Sequence, residues 1–147
     1  MLKALAVVAL LLVPNAASAA TVEEVDKSIS DLLGDPAAFH DAFIAIQQAV
    51  ENDDPDALAE WVQFPINVRM GDAVQTLKDA EDFDTAYPDL FTPEIKNAIT
   101  DQRYEDLHVT YQGAMFGDGQ IWISGICKTD ACETVDVRII TIQDTGN

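Results

Sequence analysis

Three times in this chain an Asp or Thr stands directly before a proline, at Asp35-Pro36, Asp54-Pro55 and Thr92-Pro93. Each pair marks a helix start. The cap oxygen accepts a first-turn amide proton, and proline's fixed φ suits the first helical position, where its missing N–H costs nothing. A fourth start, Thr21-Val22-Glu23-Glu24, has the spacing of a capping box, and Gly34 stands where that helix should stop. Between these signals the apolar residues repeat with helical spacing. Phe39, Phe43, Ile46 and Val50 form one stripe of a helix over 36–51, and Leu58, Trp61 and Val62 share a face over 55–62. Shorter helices are predicted over 79–87, with Phe83 and Tyr87 as an i,i+4 pair, and over 93–101, with Ile95, Ala98 and Ile99.

The rest of the chain alternates with period two. Strands are predicted at Ile66 to Met70, Ala73 to Leu77, Leu107 to Tyr111, Ala114 to Phe116, Gln120 to Cys127 and Thr134 to Ile142. Gly117-Asp118-Gly119 is tight-turn chemistry, and a second hairpin is expected to reverse at Lys128 to Ala131. Helices concentrated early and a meander late argue for an α+β domain, with helices packed on one side of a curved antiparallel sheet.

Residues 1–19 have a different character. Lys3, the apolar run Ala4 to Val13, and the small residues Ala17 and Ala19 make the pattern of a cleavable secretory signal. The run is about half of what a bilayer span requires. Residues 20–147 are then expected to form a single domain, exported to the periplasm. The net charge of −18, with 8 basic against 26 acidic residues, sets aside nucleic acid and anionic lipid as partners. It suits solubility, or attraction of a basic protein or a cation.

Cys127 and Cys132 are the two cysteines, and an exported chain favours their pairing as a disulfide. A zinc site would need two further ligands, while His40 and His108 are both distant in sequence. No metal and no cofactor is expected. Asp53-Asp54 with Asp56, and Glu81-Asp82 with Asp84, are acidic clusters at helix starts, where the helix dipole accounts for them.

The order helix, helix, strand pair, short helices, long meander resembles the cone-shaped fold of the nuclear transport factor two-like, or SnoaL-like, superfamily. Phe64-Pro65 opening the first strand, Phe83 and Tyr87 leading into Phe91-Thr92-Pro93, and Gly113 before Gly117-Asp118-Gly119-Gln120-Ile121-Trp122 carry the resemblance. The superfamily includes isomerase- and dehydratase-like enzymes as well as members that only bind a ligand or a partner, so the resemblance implies a fold and no activity. The isomerase-like set of an aspartate base facing a tyrosine and a protonated aspartate has no residue-by-residue match here. No catalytic residue is assigned.

Candidate ligand-binding residues are Asp136, Arg138, Trp122, Arg69 and Tyr87. Asp136 and Arg138 lie two apart on the last strand and share a face, either as a charged floor for a ligand in the cone or as a solvated ion pair. Trp122 alternates with Ile121 and Ile123, so both faces of its strand carry apolar bulk and one needs a cover other than the first helices, such as a second copy of the chain. Were Cys127 directly opposite Cys132, Ile123 would face Asp136 and Ile121 would face Arg138; a bulge would shift that register. His40, His108, Tyr104 and Tyr111 are further pocket candidates. A histidine base would need a carboxylate or tyrosine in reach. The expected function is a non-catalytic periplasmic domain that binds a small hydrophobic ligand or a protein. The alternatives are a small lyase or isomerase with an aspartate or histidine base, and an acidic inhibitor of a basic exported protein.

Overall fold

The computed structural model describes residues 20–145, so the leader expected over 1–19 lies outside the described residues. The chain folds as α+β. Helices α1 (Val22–Leu32), α2 (Pro36–Glu51) and α3 (Pro55–Ala59) come first. Strands β1 (Ile66–Met70) and β2 (Ala73–Leu77) follow, then α4 (Ala80–Leu90) and α5 (Pro93–Thr100). The meander β3 (His108–Thr110), β4 (Gly113–Phe116), β5 (Ile121–Cys127) and β6 (Val135–Gln143) completes the order. Among the described residues no helix is long and apolar enough to cross a membrane.

The cap chemistry acts as the sequence predicts. Thr21 closes a full capping box with Glu24, and Asp35, Asp54 and Thr92 accept amide protons from Ala37, Ala57 and Ile95 with proline at the head of each helix. Gly34 follows α1 at φ 125, a conformation that glycine adopts without steric cost, and its N–H returns to the Ile29 carbonyl.

Two helices end elsewhere than their side-chain spacing predicts. α3 stops at Ala59 rather than running to residue 62. Trp61 and Gln63 instead exchange backbone hydrogen bonds with Ile139, and Val62 bridges it in parallel, so sheet pairing takes the backbone that the apolar spacing had allotted to a helix. α4 runs past Tyr87 to Leu90 with Pro88 inside its last turn. One turn of 3-10 helix, Tyr104–Asp106, precedes β3 and shortens it at its start.

The six-stranded sheet has the order β2-β1-β6-β5-β4-β3. It is mixed: β1 runs parallel to β6, and the other neighbours are antiparallel. All the helices that touch the sheet cover one face, with α1 against β3, α2 against β6, α5 against β5 and α4 against β2. Toward them point Ile66, Val68, Leu77, Ala114, Phe116, Ile121, Ile123, Val137, Ile139 and Ile142, all buried. They interlock with Ile29 of α1, Phe39, Phe43 and Ile46 of α2, Leu58 of α3, Phe83 of α4 and Ile95 and Ile99 of α5. Phe43 stacks on Phe116 at 5.2 Å between centroids and meets the Tyr104 ring edge-on at 5.4 Å, so aromatic bulk fills the space beneath α2.

The β5–β6 hairpin corrects the register drawn from facing cysteines. Cys127 and Cys132 are joined as a disulfide, but Cys127 pairs across the sheet with Val135, and Cys132 lies in the connecting loop at φ 51. Asp136 therefore faces Ile126 and Arg138 faces Ser124. The register shifts again between Trp122 and Ile123, which pair with Thr141 and Ile139 and leave Ile140 as the extra residue of a bulge. The reversal extends beyond Lys128 to Ala131, because Lys128 donates to the Thr134 carbonyl as the first closure of the loop.

Candidate functional site

A recess opens onto the apolar interior between the β1–β2 hairpin and α4. Val68 and Leu90 form its buried back wall, with Met70 and Ala86 partly exposed in front and Ala73 at the hairpin tip. These residues enclose a recess of about 370 Å³, within the size range of small-ligand pockets. Three polar residues stand at its mouth: Gln75, Thr85 and Asp89, all exposed.

Local sequence explains the gap. β1 turns Ile66 and Val68 inward, and its partner β2 places Leu77 opposite Ile66 but Gln75 opposite Val68, so the apolar cover runs out toward the hairpin tip. α4 sends Phe83, Tyr87 and Leu90 down into the core. Phe83 packs against Phe64 and Phe91, and Tyr87 stacks on Phe91 at 4.5 Å. The helix is thus held up on aromatic supports, and the short side chain of Ala86 faces the hairpin without filling the space beside it.

None of the five candidate residues lines this recess. Tyr87 is buried, and its hydroxyl donates to Asp53 at 3.1 Å. Burial, then the Asp53 carboxylate, pushes its phenol far above the ordinary value. Lys96 donates to the same Asp53 oxygen at 2.6 Å, and that bond, followed by the one from Tyr87, holds the carboxyl below its usual value. Asp136, Arg138, Trp122 and Arg69 belong to the alternate positions of β6, β5 and β1, on the sheet face opposite the buried core residues. Arg138 pairs with Asp136 and also donates to the Glu60 carbonyl. Both side chains of the pair are half-buried, and neither lines the recess beside α4. Trp122 lines a separate shallow depression of about 340 Å³ on that outer face, with Gln112, Ile140, Thr141 and Gln143.

One histidine meets partners that spacing could not reveal. His40 Nε2 lies 3.2 Å from Asp26 Oδ1, the Tyr104 hydroxyl donates to the same oxygen at 2.8 Å, and the two rings stack at 3.6 Å. Burial, then Asp26, pushes the Tyr104 phenol far up. The group ties α1 and α2 to the 3-10 turn, and its members do not line the recess. His108 is exposed on β3, and Tyr111 is 79% exposed at the β3–β4 turn. Among the described residues no three His, Cys, Asp or Glu side chains are grouped to hold a metal.

Gln120 is the buried polar side chain of the core; its amide donates to Glu94 and Thr145, and its carbonyl accepts from Asp118 N–H. It locks the Gly117-Asp118-Gly119 turn to α5. The Gln120 bond, then the Thr145 backbone, lowers the Glu94 pKa.

Comparison with protein-family models, with curated proteins and with solved structures found no match to this chain.

Proposed function

We propose that residues 20–147 form an exported, non-catalytic binding domain of the cone type, and that it takes a small hydrophobic ligand in the recess between the β1–β2 hairpin and α4. The carrying observation is the contrast within one interior. Beneath α2 the space is filled by Phe39, Phe43 and Phe116, whereas beside α4 an apolar-walled recess of about 370 Å³ stays unfilled. Small-molecule sites are typically such apolar concavities with a few polar groups at the edge. Export to the periplasm rests on the leader pattern of residues 1–19, and the Cys127–Cys132 disulfide suits an oxidising compartment. A lyase or isomerase would need its base at the substrate. Asp89 is the one ionisable residue lining the recess, and Asp26 and His40 belong to another part of the surface.

The test is a fluorescence titration of the exported chain with the neutral hydrophobic dye N-phenyl-1-naphthylamine. The expected result is saturable binding of one dye per chain, abolished in Ala86→Trp, with folding of the variant checked by circular dichroism. No saturable signal, or the same signal from folded Ala86→Trp, would overturn the reading.

A protein partner is the second reading, favoured by the outer sheet face. Trp122, Met115, Ile126 and Ile140 are only partly buried there among the described residues. A second copy of the chain or a basic exported protein would cover them. Sedimentation equilibrium of the wild type against Trp122→Ser tests the first of these: a monomer at every concentration removes it.

A further inference from the structure

We infer that the recess beside α4 selects cationic amphiphiles, an apolar body carrying a protonated amine, with the Asp89 carboxylate as the group that recognises the charge. This inference rests on the recess reading above.

The placement of Asp89 is otherwise unfavourable. It stands in the last turn of α4, where unpaired carbonyls carry partial negative charge, and that turn holds no basic residue. Glu81 and Asp82 of the same helix sit in its first turn, where the dipole favours them, and Asp82 also accepts the Lys78 amide proton. Asp89 has no such account. Asp53, Asp26 and Asp136 each engage a cation, a histidine or a hydroxyl, while among the described residues Asp89 has no ion-pair partner. Glu51 ends α2 in the same unpaired way, so what sets Asp89 apart is its place on the lining of the recess.

The surroundings specify that use. Asp89 sits at the mouth of the recess beside Leu90, whose side chain forms the buried wall, so one ligand can bury its apolar part and bring its charged end to the carboxylate. Gln75 and Thr85 at the same mouth supply carbonyl and hydroxyl oxygens for the remaining N–H donors. α4 carries Glu81, Asp82, Asp84 and Asp89 and no Lys or Arg, and the whole chain bears −18, so the approach to this recess attracts cations and repels fatty-acid-like anions.

The experiment uses three ligands of one chain length below their aggregation limits: octylammonium, 1-octanol and octanoate, in competition with N-phenyl-1-naphthylamine. Octylammonium is expected to displace the dye at a concentration at least tenfold lower than 1-octanol, with octanoate weakest, and added NaCl should shrink that advantage. Asp89→Asn should erase the advantage while leaving octanol binding in place. Asp130→Asn, which removes an equal charge from the β5–β6 loop, should keep it. Equal displacement by octylammonium and octanol, or an advantage that survives in Asp89→Asn, overturns the inference and leaves the apolar recess standing. If the dye itself does not bind, the recess reading fails separately; calorimetric titration with octylammonium then decides, and equal heats from wild type and Asp89→Asn overturn the inference as well.

Discussion

The two helices that lie over opposite parts of the sheet treat their neighbours differently. α2 buries Phe39, Ala42, Phe43, Ile46, Ala49 and Val50, and its Phe43 ring reaches Phe116 and Tyr104 beyond it. α4 buries Phe83, Tyr87 and Leu90, all directed to one side, and leaves Thr85, Ala86 and Asp89 around an unfilled space. Dispersion contacts are individually small, so a helix held on fewer supports loses cohesion wherever a neighbour atom is missing. Stability is thus concentrated under α2, and room for a ligand is left beside α4.

Paired substitutions can break that contrast. Phe116→Ala should lose about 3–5 kcal/mol by urea denaturation, while Met70→Ala at the recess should lose about 1 kcal/mol, because Met70 is partly exposed and removes little from a packed neighbour. Equal losses would mean that the two halves are packed alike. Ala42→Phe, at a fully buried α2 position, should cost about 1–3 kcal/mol through overpacking. The same enlargement at Ala86 should cost distinctly less, since the new ring enters existing space; a larger loss at Ala86 reverses the comparison.

A smaller effect concerns the ion pair between Lys96 of α5 and Asp53, which joins α5 to the α2–α3 connection. The folded Asp53 carboxyl is held below its ordinary value of 3.8, first by Lys96 and then by Tyr87. Its contribution is therefore present above that pH and is lost as pH falls through the lower folded value. Between about pH 4 and pH 2 the urea midpoint of Asp53→Asn should fall less steeply than that of the wild type. Parallel curves would leave Asp53 without a part in acid stability. The smallest shift is expected from Asp89→Asn, which removes a carboxylate from the negative end of α4 and should raise the midpoint slightly at low salt. A lowered midpoint would give Asp89 a structural role and weaken the case for a recognition role.

Much of the architecture is readable in local chemistry. Asp35, Asp54 and Thr92 before proline act as caps, the Phe39 to Val50 stripe is buried as one face, and the Gly117-Asp118-Gly119 turn joins β4 to β5. What local spacing misses is decided by distant backbone. Trp61 and Val62 have helical spacing, yet Ile139 draws them into sheet pairing. The position of Asp136 and Arg138 opposite Ile126 and Ser124, respectively, depends on the length of the disulfide loop, which two cysteines alone do not specify. The recess is hidden for the same reason. Val68, Gln75 and Ala86 meet only because a hairpin and a helix are brought side by side, and no local spacing marks them.

The sheet's central strand is also the latest of the six to leave the ribosome. β6 lies between β1 and β5, so until residues 135–143 have been synthesised the chain can hold only two separate ribbons, β2–β1 and β5–β4–β3, with an open seam between them. Insertion of β6 joins both ribbons at once.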